Sequence, residues 1–384
     1  MTAVSDKSGI FLCLKYNIYE YFVKLLIFFS ARDLFLHTII IILPKIICIL
    51  PYQGLAMIKN DTMKKKLLFV LVAIVATFGT ATAQQKSTLS ARIYGYNKEM
   101  VYFDCMQTPL IAQEFHTNPG ELHVYTFDCD NLVCISINGR TNVILQPGDS
   151  LHVEMNYEDR NVKVEFSGSE RAVNNNRLMK SIGNIKRSMR YKDNLLGCVA
   201  LDIKPQERIA DSRTLLEKAN TIIGRSKASD EAKNYVAAMI DYDVYMSFIE
   251  YPVMYASVRG LAIEEQEIGD YWNIMDGYVT RSDAESLCCP EYASLLMRYC
   301  FYMNNKTAME IGAEYSMPMV LEDMYKEIAA FYDGEQRDFL LYILLRNFIM
   351  NGQEIERADV LYEDYVEKYN ISAFNKSILD MLLQ

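Results

Sequence analysis

Nine cysteines are the first side chains in this 384-residue sequence that could do covalent chemistry. Seven follow residue 83: Cys105, Cys129, Cys134, Cys198, Cys288, Cys289 and Cys300. Disulfide exchange by a single chain needs a thiolate activated at a helix N-terminus and a second thiol three residues on to resolve the mixed disulfide. No two of the cysteines are three apart, and Trp272, the only tryptophan, has no cysteine beside it. The adjacent pair Cys288-Cys289 precedes Pro290 and an expected helix, so it comes nearest to an activated position. It reads as two buried thiols in preference to a strained vicinal disulfide. Cys129 and Cys134 flank the turn residues Asp130-Asn131, and bridge only if that turn brings their Cα atoms to about 5.5 Å. An odd number leaves at least one thiol free or paired between chains.

The other reactive residue types are scattered. His116, His123 and His152 fall in one strand-rich region, where alternation with apolar neighbours faces His123 and His152 outward. A zinc site needs three or four converging ligands. Glu264-Glu265-x-Glu267 is a carboxylate cluster, but adjacent helical residues point apart, so it reads as a solvated face. There is no glycine-rich phosphate loop, no G-x-S-x-G and no H-E-x-x-H. No catalytic, cofactor-binding or metal-binding residue is therefore expected. Tyr242, Tyr245, Tyr251 and Tyr255 recur at helical spacing. They read as core and rim residues with a polar tip, the sharper alternative being an aromatic groove for glycan or peptide. The formal net charge is −10. The acidic excess lies after residue 83, because residues 1–83 hold nine Lys/Arg against four Asp/Glu. Such a surface repels phosphate backbones and argues against nucleic-acid binding.

What would position these groups is a two-part chain. Over residues 84–168, Leu89/Ala91/Ile93, Val101/Phe103/Cys105, Leu122/Val124/Thr126, Val133/Ile135/Ile137, Val143/Leu145, Leu151/Val153/Met155 and Val162/Val164/Phe166 alternate with polar residues. Asn97-Lys98, Asn138-Gly139 and Pro147-Gly148-Asp149 supply turns. About seven strands in an antiparallel, sandwich-like domain are expected. After Ser167-Gly168-Ser169 the period becomes helical, and residues 169–384 read as an all-helical domain. Pro205 and Pro290 mark first turns, Ser229-Asp230 a cap, Ser282-x-x-Glu285 a capping box, and Pro252 a kink or an end. The fold class is α+β.

Residues 63–83 carry the three parts of a secretory signal peptide. Lys64, Lys65 and Lys66 form the positive region, residues 67–78 the apolar core, and Ala81-Thr82-Ala83 an A-x-A cleavage site. The expected product is periplasmic and meets the membrane only during export. A leader does not normally start so far inside a chain, so Met63 reads as the true start and residues 1–62 as a misassigned upstream extension. The alternative is a membrane hairpin, although the apolar runs before residue 50 are broken by Lys24, Arg32, Asp33, Pro44 and Lys45.

The stretches ARIYGYNKEMVYFD, LQPGDSLHVEMN and VEFSGSERAVNNNRLM, following a leader, carry a resemblance. They are similar to the non-catalytic N-terminal region of Bacteroidetes-type thioredoxin-like proteins of the thiol:disulfide interchange class. The resemblance spans about residues 84–190 and implies a β-domain of unknown function, then helices, then usually a thioredoxin domain. The W-C-x-x-C of that last domain is missing, and the chain ends about where it would begin. The expected function is thus an exported accessory or binding module without catalysis of its own. Its expected partner is a thioredoxin-like protein or another periplasmic protein. Two rival readings stay open: a thiol-disulfide oxidoreductase component acting with a separate thioredoxin chain, and a glycan- or peptide-binding surface protein.

Overall fold

Alternation of buried and half-buried residues builds the first part of the molecule strand by strand. The computed structural model describes residues 86–95, 101–105, 107, 114–116, 120–157 and 162–384. The expected leader at 63–83, the segment 1–62 and the Asn97-Lys98 turn lie outside these residues. The chain divides into the units Met1–Ala83 and Gln84–Gln384, and all described residues belong to the second. It is mixed α+β, with strands in the middle of the chain and helices after them.

One sheet has the order β4-β1-β7-β8, formed by β1 (Ser87–Tyr94), β4 (His123–Phe127), β7 (Ser150–Asn156) and β8 (Lys163–Gly168). The other has the order β3-β2-β5-β6, formed by β2 (Val101–Cys105), β3 (Glu114–His116), β5 (Val133–Ile137) and β6 (Thr141–Leu145). Leu89, Phe103, Ile135, Leu145 and Val153 from the two sheets meet in one core. Each such side chain contributes roughly 1.5–3 kcal/mol when fully buried.

Three expectations for the strands need correction. The sheets are not wholly antiparallel, because β1 and β7 pair in parallel, Leu89 opposite Leu151 and Ile93 opposite Met155. Parallel neighbours need a long crossover, and here the whole second sheet lies in the connection. There are eight strands among the described residues, the extra one being the three-residue β3. In β4 the inward residues are His123, Tyr125 and Phe127, one register step from the expected Leu122, Val124 and Thr126. A slip of one residue exchanges the faces of a strand. The aromatic rings decide it: Tyr125 stacks on Phe103 at 5.6 Å between centroids and packs on Phe127. His123 is carried inward with them and is 6% exposed. His152 is half-buried, with Nδ1 at 2.9 Å from Ser90 Oγ.

The turns follow their chemistry. Asn138 and Gly139 have φ of 55° and 62°, as a two-residue hairpin of primed type requires. Gly148 has φ of 78°, and Asp149 N–H closes the turn on the Gln146 carbonyl at 3.0 Å.

Eleven α-helices follow among the described residues. They are α1 (Glu170–Met189), α2 (Leu195–Ala200), α3 (Pro205–Arg225), α4 (Asp230–Ile249), α5 (Tyr251–Arg259), α6 (Ala284–Leu287), α7 (Pro290–Glu310), α8 (Leu321–Phe331), α9 (Gly334–Met350), α10 (Ile355–Lys368) and α11 (Ala373–Leu382). Pro205 and Pro290 occupy first turns, where a missing N–H costs nothing. Ser229 Oγ caps α4 by accepting from Ala232 N–H. The single turn residue Glu250, itself in αR conformation, separates α4 from α5, and Pro252 lies in the first turn of α5. The capping box expected at Ser282 is corrected: Asp283 caps α6, accepting from Ser286 N–H at 2.9 Å. The most buried long helix, α4, packs against α3, α6 and α7. α1 joins the two parts, lying against β6 and β8 on one side and α3 and α4 on the other. No helix among the described residues is long and apolar enough to cross a membrane.

Candidate functional site

The thiols are placed by elements that deactivate them. Cys289 is the N-cap residue of α7, but it is wholly buried and its Sγ donates to Glu291 Oε2 at 3.3 Å. Burial pushes its pKa well above the ordinary thiol range, and the Glu291 charge adds to this. Burial likewise pushes Cys288 up to about 11 and Cys134 and Cys300 up to about 12. Cys129 and Cys198 are raised by burial too. An exchange-competent cysteine needs the opposite shift. Cys129 and Cys134 are not bridged; Cys129 Sγ sits 3.3 Å from Ser87 Oγ.

The other candidates do not converge. Glu264, Glu265 and Glu267 are exposed around a single 3-10 turn. Tyr251 donates to the Ile203 carbonyl at 2.6 Å and Tyr255 to Asp202 Oδ1 at 2.8 Å, so both rings are buried with their tips engaged. Lys186 reaches Asp193 at 2.9 Å and Asp243 at 2.5 Å in a second polar cluster inside the helices. Burial pushes the Asp243 carboxyl up to about 6 against the pull of Lys186.

A cavity of about 380 Å³ lies where the segment leading into β5 meets α6, α9 and the chain around α11. That is the size of a small-molecule pocket. One face of α9 supplies Phe339, Tyr342, Ile343 and Arg346, spaced i, i+3, i+4, i+7. Leu132 and Leu287 extend the apolar wall, and Cys288 also lines it.

Arg346 is the unusual member. It is 7% exposed, on a helix otherwise dominated by leucine and isoleucine. Its Nη1 donates to the Gln107 carbonyl at 2.6 Å and its Nη2 to Asn347 Oδ1 at 3.2 Å. The guanidinium carbon lies 5.7 Å from the Tyr342 ring centroid. Its Nε is buried and has no acceptor among the described residues. Gln107, on the same cavity, accepts from Cys134 N–H through Oε1 at 2.6 Å, while its buried Nε2 also has no acceptor there. Two unpaired donors thus sit in residues that line the cavity, each atom itself buried beneath its surface. The nearby acid Asp338 is committed elsewhere: Oδ1 accepts from Arg337 at 2.8 and 2.9 Å, and Oδ2 from Asn370 N–H at 3.2 Å. Arg346 has no carboxylate within ion-pair distance among the described residues. The Tyr342 side chain also engages the guanidinium, and Asp130 and Glu335 line the same cavity.

Sequence reasoning did not single out Arg346 or Gln107. The one available signal was an arginine inside the apolar run FLLYILLRNFIM. Comparison of the chain with protein-family models, curated proteins and solved structures finds no match.

Proposed function

We propose that the chain is an exported accessory or binding module, of the kind that precedes thioredoxin domains, and performs no thiol–disulfide exchange itself. The two sheets act as a sandwich-like domain and the helices as a second domain packed on it through α1. The single observation supporting the non-catalytic part is the environment of Cys288-Cys289. Both thiols are pushed up by burial, and the nearest charges, Glu285 and Glu291, are acidic. Export rests on the leader at residues 63–83, and the partner is a thioredoxin-like protein or another periplasmic protein.

The test is reduction of a protein disulfide by the purified chain beside its Cys288→Ser/Cys289→Ser variant. No turnover in either is the expected result. Turnover that disappears in the variant overturns the reading. Recovery of the protein in the periplasmic fraction tests the location; a salt-resistant membrane pellet argues against it.

A further inference from the structure

We infer that two open pockets sharing Tyr278 bind a neutral oligosaccharide, its sugar rings stacked on tyrosines and its hydroxyls donating to the rim. This deepens the binding-module reading by giving the module a ligand class, and it rests on that reading.

Tyr278 lies in the segment between α5 and α6 and lines both pockets. One, of about 310 Å³, is walled by Arg213 and Glu217 of α3 and Tyr245 of α4. The other, of about 340 Å³, is walled by Tyr299 of α7, Phe331 of α8 and Gln336 of α9. Ring contacts run on from one pocket to the other. Centroids lie 4.1 Å apart for Tyr245 and Tyr278, 5.4 Å for Tyr278 and Tyr299, and 6.1 Å for Tyr299 and Phe331. Tyr245, Tyr278 and Tyr299 are half-buried, so each is held by packing yet keeps part of its surface towards solvent. A tyrosine ring is apolar on its face and polar at its tip. A pyranose has the matching form, with C–H groups on its faces and hydroxyls at its edge.

The rim selects the class. Asp333 precedes α9 but its carboxylate caps no N–H, and neither it nor the Glu217 carboxylate has a bond or ion-pair partner among the described residues. The Tyr245 and Tyr299 hydroxyls are likewise unbonded there. Gln336 commits its Nε2 to the Arg281 carbonyl at 3.0 Å, which leaves Oε1 to accept. Carboxylates and amide oxygens only accept, so this rim calls for a ligand rich in donors. Sugar hydroxyls supply them, whereas a proline-rich peptide, the other ligand of aromatic grooves, offers mainly carbonyl acceptors. Among the described residues lining the two pockets, Arg213 faces Glu217, Asp276 and Asp333, and Asp276 is paired with Lys306 at 2.7 Å. One carboxylate is left in excess, which disfavours an acidic sugar and is too little to hold a polycation.

The experiment is calorimetric titration of the full chain with maltohexaose, cellohexaose and mannohexaose, and with decaproline and octalysine as peptide controls. The expected result is binding of at least one hexasaccharide with a Kd of about 1 mM or tighter. It should weaken about tenfold or more in Tyr299→Ala and about threefold or more in Asp333→Ala. Asp333 makes no side-chain bond to its helix, so its variant reads recognition even if Tyr299→Ala does not fold. No hexasaccharide binding at about 10 mM overturns the inference, as does binding that no folded variant weakens. Tighter binding of either peptide than of every sugar assigns the pockets to a protein partner and overturns it too. The thiol assay is run without sugar, so either proposal can fail alone.

Discussion

The side chain of Asn176 hydrogen-bonds both backbone groups of Ile144: Oδ1 accepts from the Ile144 N–H at 2.9 Å, and Nδ2 donates to its carbonyl at 2.8 Å. β6 is the edge strand of its sheet, so this helical asparagine takes the place of a further strand. Its neighbour Asn175 donates to Gln146 Oε1 and accepts from Ser229 N–H, the cap residue of α4. Two successive asparagines of α1 therefore tie the sheet edge to the helices.

Replacing Asn176 with leucine leaves the N–H and C=O of a fully buried residue unpaired. Each orphan costs roughly 1–3 kcal/mol, so the loss should be about 2–6 kcal/mol. Urea unfolding followed by circular dichroism gives the value. A midpoint equal to that of the parent would show that the pair contributes nothing.

Gly148 and Gly168 both have positive φ. Gly148 has φ 78°, so Gly148→Val should cost roughly 1 kcal/mol or more from the backbone conformation. A Cβ on Gly168, at φ 132°, would lie 2.2 Å from the Ser150 carbonyl oxygen, which is backbone and cannot turn aside. Gly168→Ala should therefore cost on the order of 3 kcal/mol or above. Thermal denaturation of the two variants side by side orders them.

Asp243 sets a pH dependence whose sign is opposite to that of a surface carboxylate. Burial raises its folded pKa to about 6 from the ordinary 3.8, so the folded state holds the proton more tightly. The stability it contributes is fully present below about pH 4 and is lost as pH rises through 6, on the order of 2–3 kcal/mol in all. Lys186, Asp193 and Arg208 are the charged groups that face it. Unfolding free energies of the parent and Asp243→Asn between pH 4 and 7 should diverge in slope, the variant lacking this decline. Parallel curves would remove the assignment.

Cys288 is half-buried and its pKa is pushed to about 11, so alkylation at neutral pH should be much slower than for a small-molecule thiol. Cys289, buried and bonded to Glu291, should react only on unfolding. Peptide mapping after timed iodoacetamide labelling distinguishes the two.

Local signals carried much of the architecture. The two-residue period of β1, β2 and β7 placed Leu89, Phe103 and Val153 inward, where they are. Ser229, Pro205 and Pro290 marked helix starts. What failed was decided by distant partners. The register of β4 depends on a ring stack with Phe103, and β1 pairs in parallel with a strand that follows the second sheet. At Ser282 two capping residues lay side by side, and Asp283 took the role. The cavity had only one local signature, the arginine inside an apolar run, because Gln107 and Arg346 stand 239 residues apart.

That separation also orders events in time. Closing a flexible loop of 239 residues carries an entropy cost of roughly 5 kcal/mol. Hairpins such as β5–β6 form from neighbours in sequence and need no such closure. Until α9 docks, the Arg346 guanidinium stays hydrated and the wall of Phe339 and Ile343 stands apart from Leu132. The cavity is therefore a late product of folding. A chain halted before residue 334 would lack Phe339, Tyr342, Ile343 and Arg346 and so hold no cavity.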